Sequence, residues 1–377
     1  MRIGIEAQRI FRKKKHGMDM VALELIRALQ NIHTPHEFVV FVQPDEDSAC
    51  LSESAQVKIV ELPKSPYPIW EQWHLPRAVK KYKLDLLHCT SNTAPLFLSV
   101  PLVLTLHDII YLEKISLTQG TAYQKFGNIY RKWNVPIIAK KAKKILTVSD
   151  FENQRICSHF GFNKSLVQTV YNAAASHFTK ITDAKILSDS KIKYHLPDQY
   201  IFFLGNTDPK KNVIGVLKAI SLLKAKNALP CKLLMLDINR QYLQNLANEI
   251  GDPDIVNEIV FTGYVPNKEL PAIYSMATLF LYPSLRESFG IPLVEAMRCE
   301  VPVITSNTSS MPEIVGDAAH ICDPFDAQSI ADAILLVWNN AELQQQMKVK
   351  GLTRGQMFSW ELNANSTLEV YKSFVNL

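Results

Sequence analysis

The sequence of 377 residues lacks several features that would point to common classes of protein. No uncharged apolar run reaches the roughly 18 residues that a membrane-spanning helix needs. The six cysteines are scattered and none belongs to a CxxC pair, so neither a zinc knuckle nor a redox motif is predicted. The chain opens on an apolar strand pattern from Arg2 to Ala7 rather than on the apolar core of a signal peptide. We therefore expect reduced thiols, a cytoplasmic protein and at most peripheral membrane contact.

Positive charge is only in mild excess, with a formal net charge of +5. Lysines concentrate in two short segments, 13–15 and 140–144. A solvated face is the ordinary explanation for such clusters, and attraction to an anionic lipid or substrate is the alternative. The sequence has no nucleic-acid-binding motif and no interleaved aromatic and basic residues, so we expect no nucleic acid as a partner.

Short apolar runs and helical patterns alternate along both halves of the chain. The predicted strands are 3–7, 38–42, 57–62, 84–88, 102–107, 144–148, 167–171, 201–204, 232–236, 259–262, 279–282, 303–305 and 320–322. Predicted helices between them include 18–31, 69–82, 213–226 and 291–298, and Ser149 is the expected N-cap of a helix that ends near His159. Such alternation predicts mostly parallel sheets with helices on both faces.

The chain is long enough for two domains with separate cores. The polar segment 173–199 has little periodicity and is interpreted as the linker between them. We predict an α/β fold of two doubly wound, Rossmann-like domains, residues 1–180 and 181–357, that face a central cleft. Neither half contains GxGxxG, which argues against a nicotinamide-dependent dehydrogenase.

The most informative segment is ESFGIPLVE, with Glu287 and Glu295 at its two ends. Gly290 permits a turn in which backbone N–H groups approach a ligand, and Pro292 suits the first turn of a helix. Carboxylates can accept hydrogen bonds from sugar hydroxyls but repel phosphate, so we expect them to face the sugars that flank a phosphate group. On spacing alone, two solvated glutamates at a helix start remain the alternative.

The surroundings of this segment decide between the two interpretations. FTGYVP precedes it at 261–266, and EAM at 295–297, VPVITS at 301–306, MPEIVG at 311–316 and DP at 323–324 follow. In this order the segments resemble the family 4 (group 1) retaining glycosyltransferases of the GT-B fold, and the resemblance extends over nearly the whole chain. It implies an acceptor-side first domain, a nucleotide-sugar-binding second domain, and a last helix, about 358–377, that packs back on the first domain.

A loop from Gly205 to Asn212 follows the first strand of the second half. A lysine beside a helix start suits a diphosphate, although an ordinary surface lysine fits the spacing equally well. By resemblance, Lys211 contacts the donor phosphates. The family usually has Arg after the first glycine of this loop, where this chain has Asn206, so one expected cationic contact is missing.

The resemblance also assigns roles to individual residues. His107, Glu287 and Lys211 are the expected catalytic residues, with His107 near the glycosidic bond that breaks and Glu287 on the donor sugar hydroxyls. Glu295 would hold the ribose. The expected donor-binding residues are Gly17, Asn206, Lys211, Tyr264, Val265, Glu287, Ser288, Phe289, Gly290, Ile291 and Glu295, with Tyr264 and Val265 near the base.

We therefore expect a retaining hexosyltransferase of the mannose or glucose type that acts in surface polysaccharide synthesis. The donor would be a nucleotide diphosphate sugar such as GDP-mannose or a UDP-hexose, and the acceptor a glycan or lipid-linked intermediate at the inner face of an anionic membrane. No cofactor is expected, and because no DxD-type acidic pair stands where a metal would bridge phosphate, no obligatory metal is expected either. The alternatives are a nucleotide-sugar epimerase of the same fold and a non-catalytic subunit that binds nucleotide sugar.

Overall fold

The computed structural model describes residues 1–113 and 122–374. It divides into two units, Met1–Asn172 with the chain end from Trp360 onward, and Ala173–Ser359. This division corrects the boundary after 180 and the linker 173–199 predicted from the sequence. Phe178 is fully buried, and its ring meets that of Tyr274 edge-on at 6.0 Å. The start of the expected linker is therefore part of the second unit's core.

Thirteen strands form in the described residues, and each falls on a segment predicted from the sequence. They are β1 Arg2–Glu6, β2 Glu37–Val42, β3 Val57–Glu61, β4 Leu86–Cys89, β5 Leu102–Thr105, β6 Lys144–Thr147, β7 Val167–Thr169, β8 Tyr200–Phe203, β9 Lys232–Met235, β10 Ile259–Phe261, β11 Leu279–Tyr282, β12 Val303–Ser306 and β13 His320–Cys322.

The described ranges also contain fifteen helices. They are α1 Gly17–Asn31, α2 Tyr67–Ile69, α3 Leu75–Lys81, α4 Ile110–Glu113, α5 Ala122–Lys141, α6 Asp150–Phe160, α7 Ala184–Lys193, α8 Val213–Ala225, α9 Arg240–Glu249, α10 Leu270–Met276, α11 Ile291–Arg298, α12 Met311–Val315, α13 Ala327–Trp338, α14 Ala341–Gln356 and α15 Trp360–Lys372. None of them is long and apolar enough to cross a membrane.

The first unit contains a parallel sheet with the strand order β3-β2-β1-β4-β5-β6-β7 in its described part. Ile3 lies opposite Phe38 on one side and Leu86 on the other, and all three side chains are buried. The strand order reverses between β1 and β4, which makes this the topological switch point of the sheet. Loops at the carboxyl ends of strands near such a point are where doubly wound domains bind ligands.

The second unit has the strand order β10-β9-β8-β11-β12-β13, again with parallel neighbours throughout. Strand β11 is buried along its whole length, with Phe280 opposite Phe202 and Val303. The switch point of this sheet lies between β8 and β11. The loops that follow these two strands, together with helix α11, carry eight of the twelve candidate residues predicted from the sequence.

Helices of the first unit show where apolar periodicity was a reliable guide. Helix α1 buries Ala22, Leu25 and Leu29 and packs against α15. Ser149 caps α6 as predicted, because its hydroxyl accepts the Glu152 N–H at 3.2 Å. The predicted helix 69–82 is confirmed as one helical run, Tyr67–Lys81, with a π-helical turn at Trp70–His74 between α2 and α3. Helix α15 begins at Trp360, and residues 375–377 of the predicted last helix lie outside the described residues.

Candidate functional site

The structure brings Lys211 and Glu287 together at the switch point of the second sheet. Lys211 ends a 3₁₀ turn, Pro209–Lys211, that follows β8, and Glu287 lies in the loop that follows β11. The Nζ atom of Lys211 is 2.6 Å from Oε1 of Glu287, and the two side chains are only 15% and 10% exposed. A mostly buried ion pair therefore stands at the edge of the sheet where this topology binds ligands.

Tyr282, which the sequence analysis did not single out, completes this pair. Its hydroxyl lies 2.6 Å from Lys211 Nζ and donates to Glu287 Oε1 at 3.0 Å. The Lys211 ammonium also lies 4.8 Å from the centre of the Tyr282 ring. Because a buried tyrosine hydroxyl needs a partner, a tyrosine at the end of an apolar strand is the signal that could have identified it.

Asn212 fixes the loop that presents Lys211. Its backbone is left-handed, with φ 58°, which Asn tolerates better than most residues. Its buried side-chain amide donates to the carbonyl oxygens of Pro283, at 3.1 Å, and Pro324, at 2.7 Å. The loop after β8 is thereby tied to the end of β11.

Two serines hold the loop that presents Glu287. The Ser309 hydroxyl accepts the Glu287 N–H at 3.0 Å. The Ser310 hydroxyl, which is buried, lies 3.0 Å and 3.1 Å from the carbonyl oxygens of Glu287 and Phe289. These bonds fix the backbone on both sides of Ser288, so the carboxylate is held in place by its neighbours.

Gly290 makes the turn into helix α11. Its φ of 96° is a backbone conformation that residues with a side chain rarely adopt. A Cβ atom at this position would lie 3.0 Å from Cδ1 of Leu293. The first turn of α11 starts at Ile291 and contains Pro292, which has no N–H, and Leu293, whose N–H donates to the Gly290 carbonyl oxygen at 2.9 Å. Phe289 is buried and packs edge-on against Phe358 at 5.5 Å, so its side chain serves packing.

Glu295 lies one turn into α11 and is 8% exposed. Its Oε2 accepts the hydroxyl of Tyr274 at 3.0 Å. Burial raises the pKa of Glu295 to about 7, although the Tyr274 hydrogen bond opposes that rise. Ring contacts from Tyr274 to Phe280, 5.2 Å, and from Phe280 to Tyr282, 5.6 Å, connect the supports of the two carboxylates.

The remaining donor-side candidates lie in loops of the same unit. Asn206 is exposed, and its Oδ1 accepts the N–H of Asp208 at 2.8 Å, so it shapes the turn before Lys211. Tyr264 and Val265 follow β10. The Tyr264 side chain is 61% exposed, whereas Val265 is buried.

His107 and Gly17 belong to the first unit. His107 follows β5 and is buried; its Nε2 donates to the Thr90 carbonyl oxygen at 2.8 Å, since that oxygen can only accept. Burial lowers the pKa of His107, which favours the neutral ring. The backbone N–H of His107 donates to Oδ1 of Asn92 at 2.7 Å. Gly17 is the first residue of α1, and apart from its chain neighbours and its own helix backbone no atom lies within 4 Å of the place where a Cβ would stand.

Two doubly wound α/β units, with an ion pair at the switch point of the second, define a protein of the GT-B class. A model of the glycosyl transferases group 1 matches residues 188–354, and a model of glycosyltransferase family 4 matches residues 16–175. The chain belongs to this family of glycosyltransferases, as its sequence motifs predicted.

Named relatives and a solved structure resemble the chain over much of its length. O-antigen chain mannosyltransferase B of Escherichia coli is 34% identical over 239 residues, 61% of this chain and 61% of that protein. The serotype-specific mannosyltransferase WbdA of Escherichia coli is 29% identical over 244 residues, 61% of this chain and 29% of that protein. The match therefore spans less than two thirds of either relative. The structure of Anabaena Alr3699/HepE in complex with UDP and glucose, 17% identical with a TM-score of 0.72, covers 99% of this chain and 100% of its own and shares the fold.

Proposed function

We propose that the protein transfers a hexose, with mannose as the first choice, from a nucleotide diphosphate sugar to a glycan or lipid-linked acceptor in surface polysaccharide synthesis. Family membership and the two O-antigen and serotype-specific mannosyltransferases among its relatives support this proposal. The observation that carries it is the Lys211–Glu287 pair, because this pair places one cation and one hydrogen-bond acceptor side by side at the switch point.

Lys211 would bind the diphosphate of the donor. An ammonium group has three N–H donors, and two of them are used by Glu287 and the Tyr282 hydroxyl. The third can reach a phosphate oxygen while the other two hold the group in place. As the glycosidic bond breaks, negative charge grows on the leaving diphosphate, and a cation already in position stabilises it without reorganisation.

Glu287 would bind hydroxyls of the donor sugar. Both of its described side-chain bonds are made at Oε1, which leaves Oε2 as an acceptor for a sugar hydroxyl. Glu295 would hold the ribose hydroxyls in the same manner. The N–H groups near Gly290 and Ile291, at the positive end of α11, would face the phosphates. Ser288 lies in the same turn, and Tyr264 and Val265 would contact the base.

Retention of configuration would follow if the leaving phosphate takes the proton of the acceptor hydroxyl on the face it has just left. His107 would approach the donor sugar near the breaking bond, and Gly17 would let backbone come close to phosphate or acceptor. Asn206 supplies no cation where the family usually has Arg, so Lys211 carries more of the phosphate binding. We propose that the reaction needs no resident metal, because Lys211 and the start of α11 supply the positive charge.

The acceptor would be a glycan that is growing on a lipid carrier. A protein that extends such a carrier must work at the inner face of the membrane that holds it. Peripheral contact with anionic lipid would therefore keep enzyme and acceptor together, and the basic segments of the first unit suit that contact.

A donor panel followed by a transfer assay tests the function. Purified protein is incubated with GDP-mannose, UDP-glucose or ADP-glucose, and binding is followed by the shift in Tm. The donor that binds is then offered with a lipid-linked glycan, and the product is analysed for a new linkage with retained anomeric configuration. Conversion of the donor sugar without acceptor would instead favour the epimerase. Tight nucleotide binding without turnover would favour the non-catalytic subunit.

A further inference from the structure

Large apolar side chains on the described surface of the first unit are concentrated in one place. Six of them are between 51% and 82% exposed, and only Leu362 lies on the last helix. The other five come from three segments: Ile69 at the end of α2 with Trp73 in the π-helical turn that follows it, Phe97 in the loop after β4, and Ile129 and Trp133 in α5. These five residues are called the docking face below.

Hydrogen bonds join the three segments. The Gln72 amide donates to the Tyr130 hydroxyl at 2.7 Å, and its oxygen accepts the Leu96 N–H at 2.9 Å. The Lys141 ammonium donates to the Leu96 carbonyl at 2.9 Å and lies 5.2 Å from the centre of the Phe97 ring. The docking face is therefore one built surface rather than separate exposed side chains.

A groove of about 460 Å³ opens within the docking face. Its lining is almost wholly apolar and consists of Pro68, Ile69, Gln72, Trp73, Tyr130 and Trp133. The polar ends of Gln72 and Tyr130 bond to each other, so they offer little to a polar ligand. Such a groove suits a hydrocarbon chain better than a sugar, which needs several free hydrogen-bond partners.

Cations border the docking face at Phe97 and Trp73, where the ammonium of Lys141 and the guanidinium of Arg77 lie over the two rings. Residues 127–141 of helix α5 include four Lys or Arg residues and no acidic residue. The segment 63–83 contains five Lys or Arg residues and one acid, Glu71, which is fully buried. The Arg77 guanidinium stacks 3.2 Å from the centre of the Trp73 ring. An apolar surface bearing tryptophans and bordered by cations matches the boundary of an anionic bilayer.

We propose that the docking face binds the surface of an anionic lipid bilayer, with Trp73 and Trp133 at the level of the headgroups and a hydrocarbon chain in the groove. This inference deepens the proposed function, because a lipid-linked acceptor is presented at such a surface. A second copy of the chain is a poorer occupant: a two-fold interface would bring the same cationic rim against itself.

Flotation with vesicles of defined composition tests the docking face. Wild type should float with phosphatidylcholine vesicles that contain phosphatidylglycerol, and much less with phosphatidylcholine alone or in high salt. The Trp73→Ser/Trp133→Ser variant should lose at least about tenfold in partition, because the apolar contribution is removed. The matched control is Ile192→Ser/Phe325→Ser, which replaces side chains 71% and 75% exposed in the second unit and should float as wild type does.

Two further measurements make the test specific. Arg77→Gln/Lys140→Gln leaves the apolar side chains in place and should weaken only the binding that depends on anionic lipid. Brominated lipid should quench the tryptophan fluorescence of wild type and of the Ile192→Ser/Phe325→Ser control, and much less that of Trp73→Ser/Trp133→Ser. Equal flotation of wild type and Trp73→Ser/Trp133→Ser, or no flotation of wild type, would overturn the inference. So would a wild-type dimer in solution that this substitution separates.

The Tm shift with nucleotide sugar keeps this inference distinct from the proposed function. The Trp73→Ser/Trp133→Ser variant should retain the shift and transfer to a water-soluble acceptor, since neither tryptophan is a candidate donor residue and most of the candidate donor residues lie in the other unit. Protein that floats by the docking face but neither binds nor turns over any donor would defeat the proposed function alone.

Discussion

The hydroxyl of Tyr282 lies 2.6 Å from the ammonium of Lys211 and donates to the carboxylate of Glu287 at 3.0 Å. The tyrosine is fully buried, and its ring stacks on Phe280 at 5.6 Å. It therefore holds both charged groups from a rigid strand, which is how a site keeps a charge in position before a reaction begins.

Replacing Tyr282 with Phe should lower turnover without unfolding the protein. The ring stays packed, but the Lys211 ammonium loses one of its two anchors, and misplacement of a group that acts on the leaving diphosphate costs roughly 10- to 100-fold in rate. We expect kcat to fall more than the donor KM rises. The control is Tyr200→Phe, which removes another buried hydroxyl bond, 2.6 Å to the Ile273 carbonyl, away from the site. Equal turnover losses in both variants would show that the effect is only structural.

Replacing Lys211 with Ala should reduce kcat by roughly 100- to 1,000-fold, since one preorganised donor to a developing charge is removed. The loss in kcat should exceed the loss in donor affinity, because the charge matters most as the leaving group ionises. Neighbouring Lys210, whose Nζ lies 3.7 Å from Asp208, supplies the control Lys210→Ala. Unchanged turnover in Lys211→Ala, measured alongside its Tm, would remove the phosphate role.

Nucleotide affinity should rise with pH between about 6 and 8. Burial raises the pKa of Glu295 to about 7, and only the ionised carboxylate can accept both ribose hydroxyls. Glu295→Gln should weaken nucleotide binding by about 1.5–3 kcal/mol at pH 8 and abolish the pH dependence. Calorimetry on this variant and on Glu249→Gln, an exposed residue of α9, measures both effects. A pH dependence that persists in Glu295→Gln would refute the ribose assignment.

Glu71 should make the ligand-free protein less stable as pH rises. Burial raises its pKa from 4.5 to about 7, against hydrogen bonds from Thr93 and Tyr130 that lower it. Between those values the folded state binds a proton that the unfolded chain does not, so stability falls with pH by up to about 1.4 kcal/mol per unit. The Glu71→Gln substitution removes this pH-dependent contribution to the free energy of unfolding. Its Tm should therefore drop less than that of wild type between pH 5.5 and 8, and parallel Tm curves would contradict the prediction.

Transfer activity should survive dialysis against EDTA. In the proposed mechanism, Lys211 and the first turn of α11 would provide the positive charge that a bridging metal supplies elsewhere. The measurement compares initial rates before chelation, after it, and after Mn²⁺ or Mg²⁺ is added back. Complete loss in chelator with recovery on either ion would show that a metal takes part.

Secondary structure followed closely from the sequence because apolar runs bounded by turn residues specify buried parallel strands. The same reasoning failed for 173–199, where polar side chains concealed the buried Phe178 and helix α7. It also missed the π-helical turn between α2 and α3, since such a turn keeps the apolar side chains at nearly helical spacing.

Within the site, local chemistry and tertiary structure contributed different things. The sequence by itself determined the family, the turn at Gly290 and the candidates Lys211 and Glu287, because these depend on residue types at short spacings. Only the tertiary structure decided that Tyr282 joins the two, and that Tyr274 supports Glu295. Lys211 and Tyr282 are 71 positions apart, and they meet because β8 and β11 are neighbours at the switch point of the sheet. No local sequence pattern encodes that contact, since it depends on which strands are neighbours in the sheet.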